Sequence, residues 1–251
     1  QLSTGISGTA QGSGVIEIAT GAVTSSGSSG SLKMTTGSGI DSVGGIELQV
    51  GATATGNGGD VLLSAGESSA GVGGGISVNA GASGTLTGGA ITIQSGSGQA
   101  ASGSISLSTG DSAGTGGAAS LSTGASLNGE SGSIRLVSGE STTKQSGNIL
   151  LVAGNGDANN GGDVTLKGAA STSSTGGSVR LVSGKSETGL GGSIEISTSI
   201  GGQSGGVSLT TGSATSGDSG EIRIATETGQ SSGTIDIVAG HSNSQNAGDV
   251  V

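Results

Sequence analysis

"SGSIRLVSG", residues 131–139, returns almost letter for letter as "GGSVRLVSG" at 176–184. Between them, "SGNILLVAG" (146–154) and "GGDVTLKGA" (161–169) keep the same outline with other letters. The shared phrase is G-x-Φ-x-Φ-x-small-G, where Φ is aliphatic. Aligning the chain on it gives sixteen full-length copies, not all matching at every position, opened by Gly14, Gly30, Gly44, Gly59, Gly74, Gly89, Gly103, Gly117, Gly132, Gly147, Gly162, Gly177, Gly192, Gly205, Gly220 and Gly233. A seventeenth opens at Gly248, and "QLSTG" at 1–5 reads as the end of an earlier copy. Ten of the sixteen intervals are 15 residues and the rest are 13, 14 or 16. Random drift of a low-complexity sequence would not hold that register.

With the opening glycine counted as position 1, the aliphatic residues stand at positions 3 and 5. Representative pairs are Ile16 with Ile18, Ile134 with Leu136, Ile194 with Ile196, and Ile235 with Ile237; only Ala119 breaks the series. Alternation with period two, bounded by Gly and Ser, predicts a strand with one buried face. These pairs are therefore the expected core ladder. Position 7, on that same face, is Thr, Ser, Ala or Gly in nearly every copy, as where a core narrows at a corner. Closing glycines such as Gly139, Gly154 and Gly184 suit a turn with positive φ. Polar stretches such as "ESTTKQS" (140–146) would complete each coil.

Short repeats at fixed period predict a solenoid, and position 4, between the aliphatic pair, decides how many repeats make one turn. Equivalent side chains on neighbouring coils lie about 4.8 Å apart. One repeat per turn sets Glu17 beside Lys33, Lys33 beside Glu47, Arg180 beside Glu195 and Arg223 beside Asp236, all opposite in sign. Three per turn would stack Arg135, Arg180 and Arg223, and two would set Glu17 against Glu47. The expected fold is therefore all-β: a narrow parallel β-solenoid with about 15 residues per coil, about 17 coils and a length of roughly 80 Å. A single uninterrupted array over 1–251 is expected, as part of a longer array or fibre. Joining "GDVV" (248–251) to "QLSTG" nearly restores the phrase, so end-to-end stacking of copies is expected as well.

Composition narrows the function. Of 251 residues 58 are Gly, with no Pro, Cys, Trp, Tyr or Phe, which argues against a wide globular core. Without proline or a glycine at every third position, collagen is excluded. The net charge of −10, with seven Lys plus Arg, argues against nucleic acid and against anionic membrane surfaces. No disulfide or thiolate site can form, and the longest aliphatic runs, such as "NILLVAG", are too short to span a bilayer.

Sequence chemistry points away from catalysis. "SGKS" (183–186) lacks the upstream glycine of a phosphate-binding loop, because residue 179 is Val. The lone His241 builds neither a triad nor a multi-histidine site. Asp157 and Asp163 carry oxygen ligands of the kind calcium takes, but a solvated turn explains them as well. Ice binding would need regular outward Thr rows, whereas the outward pairs include Arg135/Val137, Leu150/Val152 and Glu195/Ser197. No catalytic residue, cofactor or metal site is expected, with calcium the one alternative. Val137, Leu150, Val152 and Val182, interrupted by Lys167, form a candidate lateral contact.

Phrases such as "GSIEISTS", "GGVSLTTG" and "GTIDIVAG" resemble the Gly/Ser/Thr-rich β-solenoid arrays of large extracellular fibre and surface proteins of algae, protists, bacteria and phages. The resemblance implies a non-catalytic filament subunit or shaft at the cell surface, self-associating head to tail and laterally. The alternative is an adhesin or phage-fibre shaft carrying a binding tip. There is no N-x-[ST] acceptor, so O-glycans on Ser/Thr are the only sugar chains the sequence leaves open.

Overall fold

The computed structural model describes residues 2–5, 13–156, 160–240, 248 and 250. The chain divides into two units, Gln1–Ser120 and Leu121–Val251. One repeating pattern builds each of them. It is not the solenoid that the spacing predicts: among the described residues there is no strand, sheet or helix.

The correction has a local cause. A solenoid needs backbone bonds between positions 15 residues apart. In unit 1 the bonds are instead Gly74 N–H to Gly66 C=O, Gly89 to Gly81 and Gly103 to Gly96, at 2.9 Å each. Unit 2 repeats them with Gly162 to Gly154, Gly177 to Ala169 and Gly192 to Gly184. Each links position 8 of one repeat to position 1 of the next, so it closes the intervening loop rather than a coil. These six are the backbone–backbone hydrogen bonds among the described residues.

The expected core ladder fails with the coils. Ile16, Ile18, Ile134, Leu136, Ile194, Ile196, Ile235 and Ile237 are all exposed, and no described residue is buried. Without a second wall of chain 15 residues away, the aliphatic face of the described residues stays largely open.

Glycine at the loop mouth permits the short-range approach. A Cβ on Gly74 would lie 3.2 Å from both the Ala65 Cβ and the Gly66 nitrogen, and one on Gly162 would lie 3.3 Å from the Ala153 Cβ. Position 7 is small for the same reason, since it faces the opening glycine of the following repeat: Gly30 against Thr20, Gly132 against Thr123, Gly220 against Thr211. The few described residues that are partly buried, Thr4, Ser95, Ser138, Ala153, Gly168 and Ala239, all stand at position 7.

Position 10 sets the bend. Where it is Ser or Thr (Thr53, Ser68, Ser83, Ser112, Ser126, Ser141, Ser171, Ser186), the hydroxyl accepts a backbone N–H two or three residues on, at 2.8–3.2 Å. This local bond competes with regular structure and turns the chain. Three-residue bends follow at once, as at 54–56, 69–71 and 187–189. Where position 10 is Gly39, Gly98, Gly201 or Gly229, the bend shortens to two residues. A Cβ there would meet a returning carbonyl, 2.9 Å from Gln203 O in the case of Gly201 and 3.1 Å from Ser231 O in the case of Gly229. Positive φ falls on Gly27 and Gly217, inside bends, and not on the closing glycines Gly139, Gly154 and Gly184.

Between loops the backbone runs extended. Asn79 Nδ2 donates to Ser77 Oγ at 2.7 Å, the i, i+2 contact of residues sharing one side of an extended chain. These segments stay in water. Two aliphatic side chains per repeat do not offset the entropy of ordering a chain so rich in glycine.

Candidate functional site

The feature with functional content is a periodic apolar stripe. Positions 3 and 5 recur along both units, and no described side chain is buried. The residues expected to form a core lie open instead. At position 3, Ile16 is 47% exposed, Ile134 49%, Ile194 53% and Ile235 49%. Position 5 is more open still: Ile18 is 63% exposed, Leu136 65%, Ile196 65% and Ile237 67%. Ile196 and Ile237 face water where the solenoid would have buried them.

The opposite side of each extended segment carries positions 4 and 6. Here Val137, Val152 and Val182 stand at position 6 of their repeats, Leu150 stands at position 4, and all four are exposed. Val238 occupies position 6 of a later repeat and is exposed too. It belongs to the same set, and aligning position 6 across the copies finds it. Segment 147–154 is aliphatic on both sides, with Ile149 and Leu151 on one and Leu150 and Val152 on the other, and it carries no charge.

The stacked charge pairs are not formed among the described residues. Among the described residues the ion pairs are Lys185–Glu187 at 3.5 Å and Arg223–Glu227 at 3.9 Å, all four groups exposed. Arg223 thus meets Glu227 and not Asp236. Glu17, Lys33, Glu47, Arg180 and Glu195 have no oppositely charged group within 4.0 Å among the described residues. Such pairs reach across repeats only if another strand of chain lies alongside.

The described residues hold no group of three or more His, Cys, Asp or Glu placed to share a metal ion. Asp157 and His241, and the Gln1, Asp249 and Val251 of the end-to-end junction, lie outside the described residues. Comparison with protein-family models, curated proteins and solved structures gives no match for this chain.

Proposed function

We propose that the chain is a non-catalytic structural subunit of an extracellular filament, in which copies associate through their aliphatic stripes. The observation that carries this reading is the exposed aliphatic pair repeated in fifteen of the sixteen copies. A cluster of exposed apolar residues is a candidate interaction site, and a pair renewed every repeat fits a polymer better than a single small ligand. The unpaired backbone of the extended segments adds a second reason, because an open row of N–H and C=O groups is a template for another chain. The extracellular setting rests on the resemblance to surface-fibre repeats.

Net charge opposes the association at neutral pH. Copies carrying −10 each repel one another. Lowering pH toward the sequence isoelectric point of about 4.2 protonates carboxylates and removes that repulsion. Exposed ion pairs lost on the way are worth only about 0–1 kcal/mol each. Sedimentation velocity with electron microscopy tests the reading. Polymers should form at a concentration that falls as pH drops from 7 toward 4.2. Monomers at every accessible concentration and pH would overturn it.

A further inference from the structure

We infer that the neighbour of each extended segment is a second copy of this chain, lying parallel, displaced by one repeat and paired edge to edge, so that both sides of the segment meet their counterparts. The inference rests on the self-association proposed above and adds its register. Position 4 supplies the argument through charge complementarity. Eight copies of the repeat carry a charge there. Two chains aligned without displacement set every one of them against its own like. Displacement by two repeats sets Glu17 against Glu47, and by three sets Arg180 against Arg223. Displacement by one repeat gives only opposite signs, among them Arg180 against Glu195, and no like pair. Displacement by four gives two opposite pairs with a shorter overlap.

Position 6 fits the same displacement, since it brings Val137 of one copy beside Val152 of the next. The structure leaves these groups available. Arg180 and Glu195 have no ionic partner among the described residues, and both valines are exposed. The extended backbone between loops has no internal hydrogen-bond partner among the described residues, so it can pair with the neighbour at every repeat.

The experiment compares association by sedimentation for four chains: wild type, Arg180→Glu, the swap Arg180→Glu with Glu195→Arg, and Lys144→Glu. The last stands in a loop bend and matches the net charge of the first variant. Arg180→Glu should require roughly fivefold more protein than Lys144→Glu to associate, because it sets two carboxylates together. The swap, which keeps the wild-type net charge, should return to within about twofold of wild type. Equal behaviour of Arg180→Glu and Lys144→Glu would overturn the register in favour of undisplaced chains. A swap weaker than the single variant would also overturn it, because antiparallel chains can set Arg180 against Glu47 and Glu195 against Lys33. Failure of the wild type to associate would instead remove the reading on which the register rests.

Discussion

Replacing Ile134, Leu136, Ile149 and Leu151 by serine should raise the concentration needed for association about thousandfold, while leaving the single chain almost unchanged. Fully burying one such aliphatic side chain is worth about 1.5–3 kcal/mol. These four are already about half to two-thirds exposed, so a neighbour's cover supplies only that remaining share. Reduced for the cost of ordering the interface, the loss is about 4 kcal/mol, and each 1.4 kcal/mol is tenfold. The single chain changes little because these residues are already exposed in it. Sedimentation equilibrium reads the first effect and diffusion of the dilute chain reads the second. If the variant associated as the wild type does, the stripe would not be the interface.

The loop mouths give the second large effect. Gly74→Val, Gly162→Val and Gly192→Val together should open three loops and leave the others closed. A Cβ at Gly192 would stand 3.2 Å from the Gly184 nitrogen, and the branched Cγ atoms of valine extend further into that space. Each closing hydrogen bond contributes about 1 kcal/mol net. Its loss should raise amide exchange at positions 74, 162 and 192 about fivefold, with Gly89, Gly103 and Gly177 unaffected. An opened eight-residue loop spans about 15 Å on average, so the sedimentation coefficient should fall. Association should weaken too, because each closed loop fixes the step from one aliphatic pair to the next. Unchanged exchange at the three sites would contradict the loop-closure account.

The repeat and its positions are legible in the residues themselves. Period two at positions 3 and 5, the small residue at 7 and the glycines at 1 and 8 all have structural counterparts. What the letters leave undecided is which partner each glycine approaches. Gly74 can pair with Gly59 one repeat back, as a solenoid demands, or with Gly66 across a short loop, and the same absence of a Cβ serves both. The nearer partner costs less loop entropy to reach, and the structure adopts it. Position 7 shows the same ambiguity, since a small residue there suits a narrow core and suits a loop mouth equally. The stripe residues Ile134, Leu136, Ile196 and Ile237 are identifiable as apolar but not as exposed, because alternation gives the face and not what covers it. The choice at position 10 between Ser or Thr and Gly is written in the sequence. Its meaning comes from the hydroxyl-to-amide bonds.

On the proposed reading, ordered pairing arises between chains and not within one. Amide I infrared spectra recorded beside sedimentation, across a dilution series, test it most directly. The dilute single chain should show no strand band, and a strand band should grow in proportion to the associated fraction. A strand band of constant strength in chains that sediment as monomers would contradict it.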